Sequence, residues 1–136
     1  MLQVDKELIQ GKVDIIDRNI NFLNGYQSMD EKVFLNNFKD IQAVKFSLFE
    51  IIEASIDIAS HIISKNAFKR AESYSEMFQI LGKEKVIDTN LADNLSAMAR
   101  FRNLLIHSYG GIDNSKVLSY IKLNLKDVKD FIREIT

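Results

Sequence analysis

The sequence predicts an all-α protein, a compact antiparallel bundle of about five helices. Three observations carry that expectation. The 136 residues include no proline and only five glycines, at positions 11, 25, 82, 110 and 111, so helix breakers are scarce and connections are short. Apolar residues recur in steps of three and four over long stretches, the period of a single helix face. No Asn-Gly or Asp-Gly pair separates two alternating runs, as a hairpin would need; Asn24-Gly25 follows a helical pattern instead.

The first helix spans about Asp5 to Leu23, with Leu8, Ile15, Ile16, Ile20, Phe22 and Leu23 as its apolar face. Asn24 and Gly25 end it, since both tolerate a left-handed backbone. Gly11 weakens its interior by up to about 1 kcal/mol relative to alanine. The second and longest helix runs from about Glu31 to Lys65, with Asp30 as N-cap. Phe34, Phe38, Ile41, Val44, Leu48, Ile51, Ile52, Ile58 and Ile62 form its stripe, and at about 1.5 Å per residue it reaches about 50 Å, long enough to kink. Its small residues Ala54, Ser55, Ala59 and Ser60 admit a close neighbour. Residues 66–75 read as a connection. A short helix from about Ser75 to Leu81 stops at Gly82. The fourth spans about Thr89 to Ser108 and ends before Gly110-Gly111. The fifth runs from about Asn114 to Ile135 along Val117, Leu118, Ile121, Leu125, Val128, Ile132 and Ile135.

Length and composition set further bounds. At 15.7 kDa, with no linker and no repeat, residues 1–136 read as one domain. The 18 basic and 19 acidic side chains balance to −1, which excludes the broad basic field of a protein that coats nucleic acid. There is no cysteine, which excludes disulfides, thiolate metal sites and cysteine nucleophiles and fits the cytoplasm. The first residues show no secretory pattern, and no apolar run reaches the length of a membrane span.

The fourth helix breaks its own pattern. Its stripe reads Leu91, Leu95, Met98, then Arg102, Leu105 and Tyr109. A guanidinium in an apolar row must meet a carboxylate, a ligand anion or a partner chain, or else snorkel outward from the stripe edge. His107 follows five residues later, about 140° around the helix from Arg102. The two converge only if the last turn unwinds or if two copies of the helix meet. Histidine suits proton transfer near neutral pH, and arginine suits a phosphate.

The segment Arg102-Asn103-Leu104-Leu105-Ile106-His107-Ser108-Tyr109 resembles the Arg-x4-His-x-Tyr signature of the HepT family, a branch of the HEPN superfamily. Met98-Ala99-Arg100-Phe101 before it and Gly110-Gly111-Ile112-Asp113 after it agree. So do the run Glu53 to Ile63, with its Ile-Asp-Ile-Ala-Ser-His-Ile, and Ser73-Tyr74-Ser75-Glu76-Met77-Phe78. The likeness spans nearly the whole chain. It implies a HEPN-like fold and the toxin of a type VII toxin–antitoxin system, a metal-independent endoribonuclease that needs no cofactor. It also implies a homodimer that brings two motifs into one cleft. The implied antitoxin is MntA, a minimal nucleotidyltransferase that silences the toxin by AMPylating the motif tyrosine, here Tyr109. In that scheme His107 is the general base or acid and Arg102 holds the RNA phosphate. Asn103 and Ser108 flank the site and bind phosphate or cap the helix end. Asp57 orients His107 or pairs with Arg102, or is simply an interhelical pair. Arg100, Lys65, Lys69 and Arg70 are candidates to guide RNA. Tyr74 reads as packing in the bundle, and His61, one turn from Asp57 and able to touch it, as part of a solvated or interhelical pair.

Two other readings stand beside this one. A non-catalytic module would present substrate, or its own tyrosine, to a partner nucleotidyltransferase. A purely structural bundle would dimerise through the fourth helix.

Overall fold

The computed structural model describes residues 1–107 and 113–136. Among these residues the chain forms seven helices and no strand: α1 (Lys6–Asn24), α2 (Glu31–Leu35), α3 (Phe38–Lys65), α4 (Tyr74–Lys83), α5 (Thr89–His107), α6 (Asn114–Leu123) and α7 (Leu125–Ile135).

Two antiparallel helix pairs make the frame. Along α1 and α3 the bonded partners run in opposite directions. The Asp5 amide donates to His61 Nε2 at 2.9 Å, Lys12 meets Asp57 at 2.9 Å, and Ser47 Oγ donates to Asn19 Oδ1 at 2.7 Å. Along α4 and α5, Ser96 Oγ donates to the Ser75 carbonyl at 2.9 Å and Gln79 Nε2 to Asp93 Oδ1 at 3.0 Å. Helix α3 packs on both α4 and α5, α2 bridges α3 and α6, and α7 lies against α5. The core is one cluster in which Phe34, Phe78, Phe131, Leu48, Ile58 and Leu95 are fully buried. The Phe78 and Phe131 rings meet edge to face at 5.7 Å, the arrangement their quadrupoles favour.

The bundle agrees with the sequence reading, but two of its five helices are each interrupted. The second breaks at Asn36-Asn37. Asn37 is extended (φ −120°, ψ 92°) and its side chain accepts from the Asp40 amide, capping α3. Asp30 stands at the N-cap of α2 without a capping bond. The break takes Phe38 off the stripe: Phe34 is fully buried and Phe38 is 76% exposed. The fifth helix breaks at Asn124, between α6 and α7.

Other expectations change in detail. The buried face of α1 is Ile9, Val13, Ile16, Ile20 and Leu23, with Leu8 and Phe22 exposed. Gly25 ends α1 in right-handed geometry (φ −65°, ψ −14°), so no left-handed residue is used there. Gly82 does not stop its helix: α4 continues through it to Lys83. Among the described residues, the left-handed ones are Ala67 (φ 54°) and Lys85 (φ 61°), each just past a helix end.

Candidate functional site

Helix α5 enters the core through Leu91, Ala92, Leu95, Ser96, Met98 and Ala99. One turn on, where the apolar row should continue, stands Arg102. Its side chain is only 16% exposed, so it does not snorkel into bulk water. Of the partners a buried guanidinium can have, the one present is a carboxylate. Arg102 Nε donates to Glu53 Oε1 of α3. Arg102 NH1 donates to Asn103 Oδ1 at 3.3 Å.

Aromatic rings complete the surroundings. The guanidinium carbon lies 5.0 Å from the Tyr74 ring centre and 5.6 Å from that of Phe49, within the range of attraction between a cation and a ring quadrupole. Phe49 is one turn before Glu53 on α3, and Tyr74 is the first residue of α4. Three helices therefore converge on one cation.

Two hollows flank it. One, of about 360 Å³, is lined by Ala71, Glu72, Ser73, Tyr74, Met77 and Asn103. The other, of about 300 Å³, is lined by Gln42, Lys45, Phe46, Phe49, Leu105 and Ile106. Phe46 and Leu104 add exposed apolar surface nearby.

His107 is exposed in the last turn of α5. Among the described residues no hydrogen bond or ion pair joins it to Arg102, as their angular separation on the helix requires. Ser108 and Tyr109, and the expected helix stop at Gly110-Gly111, lie outside the described residues. Just beyond them, Asp113 caps α6. It accepts from the Ser115 hydroxyl at 2.6 Å and amide at 3.0 Å, which hold its carboxyl below the ordinary range.

Two assignments need correction. Asp57 meets neither Arg102 nor His107; it faces α1 and pairs with Lys12. His61 makes the interhelical contact expected of it, with Asp5 rather than Asp57: its Nε2 accepts the Asp5 amide and ties the start of α1 to α3. Tyr74 is not packed away: it is 42% exposed, with its ring on Arg102. Arg100, Lys65, Lys69 and Arg70 are exposed, as expected of solvated cations.

Glu53 and Phe49 were not singled out by the sequence. A signal existed, because Arg102 demanded a carboxylate and α3 offers Glu50, Glu53 and Asp57 within two turns. Which of them faces α5 depends on how α3 is rotated, and periodicity does not fix that. Among the described residues no group of three or more His, Cys, Asp or Glu side chains is placed to hold a metal ion, and no helix is long and apolar enough to cross a membrane.

Known proteins resemble this chain in sequence and fold. A family described as ribonuclease HepT-like matches residues 16–135. The chain is 28% identical over 137 residues to the tRNA nuclease HepT of Aphanizomenon flos-aquae, covering 99% of this chain and 92% of that one. It is 29% identical over 126 residues to the mRNA nuclease HepT of Shewanella oneidensis, covering 93% and 94%. Its fold superposes with a TM-score of 0.86 on a solved structure of a tri-AMPylated HEPN toxin of Shewanella oneidensis in complex with an MNT antitoxin, at 29% identity and covering 94% of this chain and 96% of that one. A match running from Ile16 to Ile135, on a fold that agrees over nearly the same span, shows that the chain belongs to the ribonuclease HepT-like family.

Proposed function

We propose that this protein is the toxin of a toxin–antitoxin pair and cuts RNA through Arg102 and His107, without a metal ion, as a homodimer. The observation that supports this most is the seat of Arg102. A guanidinium replaces hydrocarbon in the stripe of α5 and, among the described residues, keeps terminal N–H groups beyond those used by Glu53 and Asn103. An exposed imidazole follows on the same helix.

The chemistry suits ribose. His107 takes the proton of a 2′-hydroxyl, whose oxygen attacks the adjacent phosphorus. The bond to the 5′-oxygen breaks, leaving a 2′,3′-cyclic phosphate, and the departing 5′-oxygen takes a proton from water to become a 5′-hydroxyl. Arg102 stabilises the charge that builds on the phosphoryl oxygens. DNA lacks the nucleophile and is spared. Within one copy the two side chains point about 140° apart, so the working pair joins Arg102 and His107 across a cleft between two subunits. The exposed Phe46 and Leu104 beside Arg102 suit such an interface. A nucleotidyltransferase antitoxin silences the site by attaching AMP to Tyr109, the tyrosine of the motif.

The test is cleavage of RNA by purified protein in excess chelator. Wild type is expected to cut, and His107→Ala to be slower by about 10²–10⁴-fold. Arg102→Met is expected to relieve growth arrest in cells lacking the antitoxin. No cleavage by wild type would overturn the reading in favour of a non-catalytic module. A stronger dimer in Arg102→Met with no other effect would favour a structural bundle.

A further inference from the structure

The carboxylate beside Arg102 works against the charge of RNA, and that contradiction is informative. A site meant only to attract phosphate has no use for Glu53. A site meant only to be stable has little use for either partner, because a partly buried ion pair is often matched or bettered by hydrocarbon of the same volume. The contacts suggest a third role. Glu53 takes the Nε edge of the guanidinium. The Tyr74 and Phe49 rings lie near it at 5.0 and 5.6 Å. Asn103 takes one N–H of NH1 at 3.3 Å. The guanidinium is a rigid planar fork, so fixing one edge while two rings lie near it constrains the direction of its remaining N–H groups.

Building on the ribonuclease reading above, we propose that Glu53 is a positioning residue. Its carboxylate, with the Phe49 and Tyr74 rings, aims the terminal N–H groups of Arg102 at the RNA phosphate. The role has a kinetic signature. Removing the charge of Glu53 takes away a repulsion and does not weaken RNA binding, yet it lets the guanidinium swing, and misplacement of a catalytic group by about 1 Å lowers rates up to about a hundredfold.

The experiment compares wild type, Glu53→Gln and Glu53→Asp on a short RNA in chelator. Glu53→Gln is expected to lower kcat by about ten- to a hundredfold, with KM unchanged or lower and thermal melting close to wild type. Glu53→Asp, which restores the charge, is expected to recover most of kcat. A second readout needs no catalysis: the rate at which phenylglyoxal modifies Arg102, followed by peptide mass spectrometry, is expected to rise in Glu53→Gln. An unchanged kcat, a raised KM with kcat intact, or an unchanged modification rate overturns the proposal. If wild type leaves RNA uncut, the ribonuclease reading falls by itself, and the modification rates still decide whether Glu53 holds Arg102. Should Glu53→Gln fail to fold, Tyr74→Leu, changed at an exposed ring, is expected to show the same split between kcat and KM and the same rise in modification.

Discussion

Gly82 of α4 and Ala92 of α5 stand so close that a Cβ built on Gly82 would lie 2.7 Å from the Ala92 Cβ. That distance is well inside van der Waals contact, and both atoms belong to packed helices. Gly82→Ala is therefore expected to destabilise. Overpacking typically costs about 1–3 kcal/mol, more than the gain of up to about 1 kcal/mol from better helix propensity. Gly11, in the middle of α1, meets nothing within 4 Å. Gly11→Ala is expected to stabilise by up to about 1 kcal/mol. Thermal melting of both variants checks the contrast, and a Gly82→Ala protein as stable as wild type would refute the close approach.

Ala67 follows α3 in a left-handed conformation. The Phe68 amide donates to the Ile63 carbonyl at 3.0 Å and the Ala67 amide to that of Ser64 at 3.3 Å, which together form a Schellman ending. Glycine suits that position better than alanine. Ala67→Gly is expected to raise stability by about 0.5–1 kcal/mol, measured by urea unfolding. A loss instead would show that the ending is not used in solution.

Tyr120 and Asp113 each tie stability to pH. Burial, reinforced by the charge of Asp127, pushes the Tyr120 phenol well above its ordinary range, and its hydroxyl has no partner among the described residues. A raised folded value means that its contribution is complete below the unfolded value of about 10 and is lost as pH climbs through the folded one. Asp113 is the opposite case. Its lowered value means a contribution present above the unfolded value of about 3.9 and lost as pH falls through the folded one. Circular dichroism across pH is expected to show Tyr120→Phe extending the alkaline limit without loss at neutrality, and Asp113→Asn removing the acid-side dependence at the start of α6.

Co-expression with a nucleotidyltransferase antitoxin is expected to add one or more AMP groups to the protein, seen as discrete mass increments that vanish in Tyr109→Phe. An unmodified wild type under those conditions would remove the regulatory half of the proposed function.

Much of this architecture was legible in the sequence, because helices without proline announce their period. The breaks were not. Phe34, Phe38 and Ile41 keep the helical spacing straight through Asn36-Asn37, and only the extended backbone of Asn37, capping Asp40, reveals the interruption. The odd arginine was equally visible as a cation in a hydrocarbon row. Its counterion was not, since Glu53 and Asp57 are one turn apart on α3 and a modest rotation of that helix exchanges their roles. The rotation adopted gives Glu53 to Arg102 and Asp57 to Lys12. Such choices are made by packing across the whole bundle, which no local pattern records.

The confinement of Arg102 also bears on the entropy of the reaction step. A free arginine side chain carries about 2 kcal/mol of rotamer entropy, which is normally surrendered when it grips an anion. Here that freedom is given up during folding, because α3, α4 and α5 already enclose the side chain. As charge builds on the phosphoryl oxygens, they meet a cation with little disorder left to lose, so the transition state is penalised less than it would be at a mobile surface arginine.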